Sequence, residues 1–564
     1  MHAFLPVLLA LATASASPQI SSSDAKAKVD AVFHDYDRSD SPGCALGVYR
    51  DGRIVYERGY GMANLELGVA NSPQSVFDIG STSKQFTAFA IHLLARDGKL
   101  SLDDDIRKWL PEVPDYGKKV TIRNLLHHTS GLRDYIEVMS LQGLQPEDLT
   151  TDADSLEAIA RQKAPNFAPG EEHLYSNTGY FLLSVVVARA SGQSLRDFAA
   201  ARIFAPLGMR HTQFNDLHTR IIPNRATGYS KAKGGGFGID MGDWEQTGDG
   251  AVQTTVEDLQ LWDQNFYEPK VGDRQLLDAM QTVGILNSGK KLDYASALFL
   301  ANYKGLPTVS HGGAWVGYRA QLLRFPQQKV SVACLCNLSS ANPSRLAQQV
   351  AEVYLGGLMT PDAPKLSPKK GQEVKITVSA AELRRLAGSY WSLASGQIVE
   401  VSVRENRLIG QKAGQSCTFV PIKAGRFRLD GISGGRSEVE VGPRAIGGRS
   451  TLFITTTDED GDVEKETFQP VILWSPTAAD LADFAGRYAS EEVDTTWRLV
   501  VQDGKLAIRH RGLPVKALEP TVAGTFTTGG MNLTFARDAD KRITGFTVDE
   551  GRVRGIVFRK LAGS

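Results

Sequence analysis

The last third of the sequence repeats itself, and this repeat limits the fold of that region more than any other feature. Ala387-Gly388-Ser389-Tyr390 and Ala485-Gly486-Arg487-Tyr488 lie at a constant offset of 98 residues (Tyr390 to Tyr488). Both units end on the pattern Gly-x-Val-x-x-x-x-Phe, at 461–468 and 551–558. Short extended segments between glycine-rich turns fill each unit, which indicates one β-rich module used twice. We therefore predict two small antiparallel all-β barrels of the lipocalin-like type, at 377–474 and 475–564.

The chain before the repeat mixes extended and helical patterns. Extended segments open and close this region, at 44–50, 53–58, 319–325 and 330–335. The first two flank Asp51-Gly52, a strong signal for a β-hairpin. Helical periodicity dominates the middle, and a helix at 346–355 closes the region. This order favours an α/β domain at 17–358, with a mainly antiparallel sheet flanked by helices plus a helical insertion, followed by a proline-rich linker at 359–376.

The first residues predict export. Residues 3–13 form a short apolar run, and Ala14-Ser15-Ala16 follows it, which is typical of a secretory signal. We therefore predict a signal peptide at 1–16 and a periplasmic or extracellular location. Lys+Arg and Asp+Glu both number 63, so no net charge points toward nucleic acid or an anionic membrane. No apolar run reaches the roughly 18 residues of a membrane span, and the sequence leaves the oligomeric state open.

The cysteines are too few to form a disulfide scaffold in a chain of 564 residues. Cys334 and Cys336 alternate on one face of a predicted buried strand, and Cys44 lies in another predicted strand. A bridge from Cys44 to either Cys334 or Cys336 is compatible with the sequence, but we expect buried free thiols. No histidine or cysteine spacing matches a metal site, and we expect neither a metal nor a cofactor.

Ser81-Thr82-Ser83-Lys84 carries the strongest chemical signal. Three residues along a helix place two side chains on one face, where a lysine can share the proton of a serine nucleophile. The same spacing occurs at Ser23/Lys26, Ser230/Lys233, Ser288/Lys291 and Ser367/Lys370. Only the match at Ser81 begins a segment of helical periodicity, which predicts a helix over 82–97 with one buried face, ended by Gly98.

Three further segments follow Ser81 in a definite order. They are Leu-Leu-His-His-Thr-Ser-Gly-Leu at 125–132, Tyr175-Ser176-Asn177, and His311-Gly312-Gly313-Ala314. The whole order resembles the serine β-lactamase and penicillin-binding-protein superfamily, particularly its class C-like branches, over about residues 25–358. The segments at 83–87, 130–135 and 311–314, with the plan of one catalytic domain and two barrels, resemble the D-aminopeptidase-like branch.

The resemblance implies a role for each matching residue. Ser81 is implied to be the nucleophile that forms an acyl-enzyme, Lys84 to accept or relay its proton, and Tyr175 to be the second proton carrier. Asn177 is implied to bind the substrate amide. The backbone N–H groups of Ser81 and Ala314 are implied to form the oxyanion hole, which stabilises the charge that develops on the attacked carbonyl.

The glycines and histidines near these motifs have implied roles as well. Gly312 and Gly313 would let the strand backbone approach the substrate without an intervening Cβ. His311 stands where the penicillin-directed members carry lysine, and a histidine is only partly charged near neutral pH. We therefore expect free-amine peptides, amides or esters as substrates, rather than penicillins or C-terminal carboxylates. We expect His127 and His128 to be structural.

The resemblance also implies that a barrel loop reaches the cleft and helps select a free amino terminus. The second barrel is short around 525–540, and we identify no counterpart of that loop in the sequence. The first functional hypothesis is therefore an exported serine hydrolase that cleaves amide bonds of small peptides, with D-stereospecific aminopeptidase activity as its sharpest form.

Two alternatives stay open at this stage. One is a carboxylesterase of broad specificity, and the other is a binding protein with an idle catalytic domain. The complete set of Ser81, Lys84 and Tyr175 argues against the idle domain. The sequence predicts a small-molecule or short-peptide substrate, and it does not separate amide from ester substrates or D from L stereochemistry.

Overall fold

The computed structural model describes residues 22–360, 378–392, 395–412, 415–431, 436–444, 449–457, 463–510 and 513–562. The predicted signal peptide and nearly all of the predicted linker lie outside these residues. In the described part of the chain, no helix combines the length and the apolar character that crossing a bilayer requires.

The N-terminal domain alternates strands and helices. Its strands are β1 (Cys44–Arg50), β2 (Arg53–Tyr60), β3 (Met62–Asn64), β4 (Val69–Ala70), β5 (Phe77–Asp78), β6 (Gln213–Phe214), β7 (Tyr229–Lys231), β8 (Phe237–Ile239), β9 (Val252–Thr254), β10 (Phe299–Tyr303), β11 (Leu306–Trp315), β12 (Tyr318–Phe325) and β13 (Val330–Cys336). Its α-helices are α1 (Ser22–Val32), α2 (Lys84–Arg96), α3 (Ile122–Leu126), α4 (Tyr135–Gln142), α5 (Asp152–Ala160), α6 (Asn177–Ser191), α7 (Leu195–Ala199), α8 (Ala205–Leu207), α9 (Val256–Asn265), α10 (Arg274–Met280) and α11 (Pro343–Leu355).

Six of these strands form one antiparallel sheet, in the order β10-β11-β12-β13-β1-β2. The predicted hairpin is present, and both Asp51 and Gly52 adopt positive φ angles, of 49° and 71°. Two such residues give the turn a twist that matches the twist of the flanking strands. The first strands of the domain therefore lie beside its last strand, and the prediction of a mainly antiparallel sheet with helices is confirmed.

The pairing of β1 with β13 corrects the expectation of free thiols. Cys44 lies directly opposite Cys336 in the ladder, and the two form a disulfide. Cys334 is two positions away on β13 and remains a buried free thiol. The register of two strands that are distant in sequence decides which cysteine is bridged, and local sequence patterns do not contain that register.

Helix α2 also differs from its prediction. A 3-10 turn over Gly80–Ser83 precedes it, and the α-helix begins only at Lys84. Every residue from Lys84 to Leu94 is buried, because the helix lies in the middle of the domain rather than at its surface. The apolar stripe indicated one buried face, whereas helices α6, α7 and α10 pack against α2 and bury it on more than one side.

The repeat forms two closed eight-stranded antiparallel barrels, as predicted. Barrel 1 follows helix α12 (Ala380–Leu386) and consists of β14 (Gly388–Trp391), β15 (Ile398–Arg404), β16 (Arg407–Lys412), β17 (Gln415–Lys423), β18 (Arg426–Asp430), β19 (Arg436–Arg444), β20 (Ser450–Thr457) and β21 (Val463–Val471). Barrel 2 follows helix α13 (Ala478–Phe484) and consists of β22 (Gly486–Ser490), β23 (Thr495–Gln502), β24 (Lys505–Arg509), β25 (Lys516–Pro520), β26 (Thr525–Thr528), β27 (Met531–Arg537), β28 (Ile543–Glu550) and β29 (Val553–Lys560).

The tyrosines of the repeat have the same function in both barrels. The hydroxyl of Tyr390 donates to the carbonyl of Leu386 at 3.0 Å, and that of Tyr488 donates to the carbonyl of Phe484 at 2.8 Å. Each bond ties the first strand to the end of the helix before it and satisfies a buried hydroxyl. The exact domain boundaries stay predictions.

Candidate active site

A cleft of about 730 Å³ lies beside the edge of the N-terminal sheet. Its lining contains the predicted site residues Ser81, Tyr175, Asn177, His311, Gly312, Gly313 and Ala314. Lys84 lies directly behind Ser81 and is fully buried. The structure therefore brings together residues that are up to 233 positions apart in the sequence (Ser81 to Ala314).

A tight turn presents Ser81 to the cleft. Gly80 adopts a φ of 48°, which a residue with a Cβ rarely tolerates, and its N–H donates to the Asp78 carboxylate at 2.7 Å. The hydroxyl of Ser83 accepts a hydrogen bond from the N–H of Val252 at 3.0 Å. The turn is thus held from both sides, and Ser81 is its partly exposed member.

Lys84 is surrounded by acceptors. Its Nζ lies 2.9 Å from Ser81 Oγ, 2.9 Å from Asn177 Oδ1 and 2.6 Å from the carbonyl oxygen of Asp249. These three acceptors match the three protons of an ammonium group. In the ammonium form, Lys84 donates to Ser81 and holds its oxygen in place. Asn177, which was expected to bind substrate, uses its carbonyl oxygen to orient Lys84.

Strand β11 lies directly against the Ser81 turn. The hydroxyl of Thr82 donates to the carbonyl of His311 at 3.2 Å. A Cβ on Gly313 would lie 1.9 Å from the carbonyl oxygen of Ile79, and one on Gly80 would lie 2.6 Å from the Ala314 nitrogen. Gly313 is therefore needed for the packing of strand on turn, a different reason from the substrate approach that was expected. This packing brings the backbone of Ala314 beside the Ser81 turn.

A chain of hydrogen bonds fixes His311 in its neutral form. The N–H of Ser176 donates to His128 Nδ1 at 3.1 Å, so the proton of His128 is on Nε2, which lies 3.1 Å from the Tyr294 hydroxyl. Tyr294 in turn donates to His311 Nε2 at 3.2 Å, which leaves the His311 proton on Nδ1, 2.6 Å from the Gly312 carbonyl. Burial, together with Lys84, lowers the pKa of His311 to about 3.

This neutral state has a consequence for substrate binding. The strand position that carries a lysine in penicillin-directed proteins holds no charge here near neutral pH. The same chain gives His128 the structural role expected of it, since burial lowers its pKa well below the usual range. His128 also packs its ring on Tyr175, with 4.1 Å between the ring centroids.

The ring of Tyr175 lies near two basic side chains. Lys84 Nζ lies 4.9 Å from the centroid of its ring, and Arg552 Cζ lies 5.1 Å from it. Among the described residues, none forms a hydrogen bond with the Tyr175 hydroxyl. A buried phenol hydroxyl without a hydrogen-bond partner can accept one proton and donate another, so it is suited to carry a proton between a nucleophile and a leaving group.

The segment 130–135 connects the cleft to barrel 2. The carboxylate of Asp134 is fully buried and accepts the N–H of Asn177 at 2.7 Å. The hydroxyl of Tyr135 donates to Asp249 at 3.1 Å. Arg133 forms a buried ion pair with Glu492 of barrel 2 at 2.5 Å.

Barrel 2 also contributes a residue to the cleft that the sequence did not predict. Arg552, in the turn between β28 and β29, lines the cleft with Ser81 and Tyr175. From the sequence we identify no loop of barrel 2 that reaches the cleft, whereas in the structure this turn reaches it. The repeat held one signal that could have pointed to Arg552. At the middle position of Gly-x-Val, the first unit has the acidic Asp462 and the second unit has the basic Arg552.

The remaining walls differ in chemistry. Met241, Trp244 and Trp315 form an apolar side, and the two indole rings lie 5.7 Å apart. Among the described residues, the carboxyl groups that line the cleft are those of Asp78 and Asp249. Asp78 accepts hydrogen bonds from Gly80 and Gln253, so it supports the turn. Burial raises the pKa of Asp249 to about 6, although Lys84 opposes the shift.

Comparison with known proteins agrees with this geometry. The beta-lactamase family model matches residues 29–355. Penicillin-binding protein 4* of Bacillus subtilis is 31% identical over 405 residues, which cover 68% of this chain and 86% of that protein. A D-aminopeptidase of Brucella melitensis is 26% identical over 563 residues, which cover 96% of this chain and 100% of that protein.

A solved structure shows the same fold. The octameric penicillin-binding protein homologue from Pyrococcus abyssi superimposes with a TM-score of 0.56 at 22% identity, covering 80% of this chain and 100% of that one. The family match extends over more than half of the sequence and over all the site residues of the N-terminal domain described above. The chain belongs to the beta-lactamase family and is a serine hydrolase of the β-lactamase and penicillin-binding-protein type.

Proposed function

We propose that this protein is an exported aminopeptidase that cleaves the N-terminal residue from small peptides through an acyl-enzyme on Ser81, with preference for D-amino acids. The observation that carries the mechanism is the contact of 2.9 Å between Lys84 Nζ and Ser81 Oγ at the wall of the cleft. The similarity to D-aminopeptidases over almost the whole chain supports the choice of substrate.

In the proposed acylation, Ser81 Oγ attacks the substrate carbonyl and Tyr175 relays its proton: the phenol oxygen accepts the serine proton while the phenol gives its own proton to the leaving nitrogen, and the C–N bond breaks. The backbone N–H groups of Ser81 and Ala314 stabilise the oxyanion. A water molecule completes the cycle: its oxygen bonds to the acyl carbon, the acyl C–Oγ bond breaks, one water proton reaches Ser81 Oγ through the same relay, and the free acid leaves. Lys84 donates a hydrogen bond to Ser81 Oγ and holds the nucleophile in place.

Asp249 supports a substrate with a free amine. Asp249 lines the cleft, and its carboxyl group accepts a hydrogen bond from the Tyr135 hydroxyl at 3.1 Å. With a pKa of about 6 it is ionised above neutral pH and can pair with an ammonium group. The neutral His311 leaves that pairing without competition from a cation on β11.

Export is part of the proposal. The apolar N-terminal segment followed by Ala14-Ser15-Ala16 supports it. The Cys44–Cys336 disulfide supports it as well, because such bonds persist in oxidising compartments.

The test is the hydrolysis of D-alanyl p-nitroanilide, L-alanyl p-nitroanilide and p-nitrophenyl butyrate by the purified protein. We expect turnover of the D-alanyl substrate, weaker turnover of its L isomer, and a loss of at least about 1,000-fold in Ser81→Ala. We also expect Asp249→Asn, which keeps an acceptor for Tyr135, to lower kcat/KM about 10-fold for the D-alanyl anilide and to leave the butyrate unchanged.

Three outcomes would contradict parts of the proposal. Equal turnover by Ser81→Ala would exclude the acyl-enzyme on this serine. Hydrolysis of the butyrate alone would indicate a carboxylesterase. Equal rates on the D and L anilides would exclude stereospecificity and leave the aminopeptidase function.

A further inference from the structure

Arg552 differs from the other arginines at the cleft. Arg319 uses its Nη1 to donate to the carbonyls of Val316 and Tyr318, at 2.8 and 2.6 Å. Arg225 lies near Asp78 and stabilises its carboxylate. Arg552 alone among them lies against Tyr175, the proposed proton carrier.

The turn that carries Arg552 is held rigidly on the N-terminal domain. The Arg552 N–H donates to Glu137 at 2.5 Å, and its carbonyl accepts from the side chain of Asn166 at 2.7 Å. The N–H of Arg554 donates back to Asn166 at 2.9 Å. A Cβ on Gly551, whose φ is 48°, would lie 2.8 Å from Glu137. Backbone bonds on both sides of Arg552 therefore fix where its side chain begins.

The guanidinium group itself is incompletely paired. Its Nη1 lies 3.4 Å from Asp134 and its Nε lies 3.9 Å from Glu137, longer than a good bidentate ion pair. The Asp134 carboxylate already accepts the N–H groups of Ile136, Glu137 and Asn177. The side chain of Arg552 is 38% exposed, and Nη2 donates to no group in the described part of the chain. A permanent cation with donors to spare therefore faces the cleft.

The position of this cation indicates which part of a substrate it meets. In the proposed mechanism Tyr175 gives its proton to the leaving nitrogen, so the leaving group lies on the Tyr175 side of Ser81. Arg552 lies against the Tyr175 ring, whereas the carboxyl group of Asp249 accepts a hydrogen bond from Tyr135 on helix α4. A peptide that places its amine toward Asp249 would therefore direct its C-terminal end toward Arg552.

We propose that Arg552 of barrel 2 binds the carboxylate of the leaving amino acid, so that the preferred substrates are dipeptides with a free C-terminus. A carboxylate is planar and accepts two parallel N–H bonds from a guanidinium group, which neither a C-terminal amide nor an ester can reproduce as a charged pair. The inference rests on the proposed aminopeptidase function and names its substrate class. In this proposal the substrate carboxylate is bound by barrel 2 and not by strand β11, where His311 is neutral.

The experiment compares D-alanyl-D-alanine with D-alanyl-D-alaninamide, which differ only in the carboxylate. Release of alanine or alaninamide is followed by chromatography for the wild type, Arg552→Gln and Arg552→Lys. We expect the wild type to prefer the free dipeptide, and Arg552→Gln to lose about 10- to 100-fold in kcat/KM on it but less than about 3-fold on the amide. Arg552→Lys should recover part of the loss, because it keeps the charge without the planar fork.

Arg554→Gln is the matched control. It lies in the same hairpin, forms an exposed ion pair with Glu172 at 3.1 Å, and does not line the cleft. We expect this variant to leave both rates unchanged. Equal melting temperatures of all variants would show that barrel 2 stays docked.

Each other outcome has a definite meaning. An equal loss on both substrates in Arg552→Gln would overturn the proposal, since Arg552 would then act through Tyr175. No loss on either substrate would overturn it as well. If the wild type cleaves neither compound, the aminopeptidase function fails and this proposal fails with it. If the wild type cleaves both equally, only the carboxylate site fails.

Discussion

The two barrels are built from one repeated module and are used differently. Both are closed, both have eight strands, and both fix their first strand with the same tyrosine. Barrel 1 packs a separate hydrophobic core of its own. The apolar residues of barrel 2, by contrast, belong to one continuous core with the N-terminal domain.

The two barrels therefore differ in where they pack, although they share one fold. The polar contacts described above that join a barrel to the N-terminal domain all come from barrel 2. Most of these contacts are made by the backbone of barrel 2 or by buried groups such as Glu492. The turns of barrel 2 that make them carry residues that differ from those in barrel 1. The two modules share one fold, and the module beside the cleft carries an arginine that lines it.

The largest effect should come from the phenylalanine that ends each repeat. Phe468 and Phe558 are both fully buried, so replacing either with alanine should lower the free energy of unfolding by about 3–5 kcal/mol. Only Phe558→Ala should also lower the rate of D-alanyl-D-alanine hydrolysis, because only barrel 2 carries Arg552. Urea unfolding and steady-state kinetics measure the two effects. An equal loss of activity in both variants would mean that barrel 2 contributes no more to activity than barrel 1.

A buried ion pair provides the second comparison. Arg133 and Glu492 join the N-terminal domain to barrel 2, with side chains that are 3% and 5% exposed. Glu492→Gln leaves Arg133 buried without a counter-charge, and we expect a loss of about 3 kcal/mol. Glu440→Gln breaks an exposed pair with Arg426 in barrel 1 and should cost less than about 0.5 kcal/mol. Chemical unfolding measures both losses in the free energy of unfolding. If Glu492→Gln and Glu440→Gln lose similar amounts, the docking of barrel 2 does not depend on the Arg133–Glu492 pair.

The pH dependence of stability tests a second contact of the same interface, between Glu137 and Arg552. Burial, reinforced by Asp134, raises the pKa of Glu137 from 4.5 to about 7. A raised pKa means that the folded state binds the proton more tightly, so this stability is present below about pH 4.5 and is lost as the pH rises through about 7. We expect a loss of about 2 kcal/mol between pH 5 and 8, after allowing for partial exposure.

Glu137→Gln should flatten this part of the stability curve, because it keeps the neutral form at every pH. Melting temperatures at several pH values measure the change. A wild-type curve that is already flat between pH 5 and 8 would show that Glu137 titrates normally and that barrel 2 docks independently of it.

The smallest effect is expected from the surface of the same interface. Arg554 and Glu172 form an ion pair in which the side chains are 44% and 49% exposed. Arg554→Gln should change the free energy of unfolding by less than about 0.5 kcal/mol, because solvent screens the pair and the backbone bond to Asn166 remains. A change above about 1 kcal/mol would mean that surface charges, and not buried groups, hold barrel 2.

The sequence predicted the parts of this molecule that local patterns contain. The repeat predicted the two barrels, and Asp51-Gly52 predicted the hairpin. The order of Ser81, Tyr175 and His311 indicated one site, and the structure places these residues around one cleft. Each of these predictions depends on periodicity or motif order, which nearby residues or a known pattern determine.

The parts that could not be predicted depend on long-range packing. The bridge to Cys336 follows from the register of β1 on β13, and the neutral state of His311 follows from Tyr294 behind it. Arg552 reaches the cleft only because barrel 2 docks on segment 130–135. None of these contacts leaves a signal in the nearby sequence, so periodicity and motifs could not predict them.

The sheet order also has a consequence for how the chain folds during synthesis. Strands β1 and β2 leave the ribosome early, but the partner of β1 is β13, and Cys44 and Cys336 are 292 residues apart. Until that partner arrives, the hairpin exposes an unpaired edge made of apolar residues, which invites wrong pairing. Completion of the sheet is therefore a late event with a high contact order, and we expect the N-terminal domain to fold slowly.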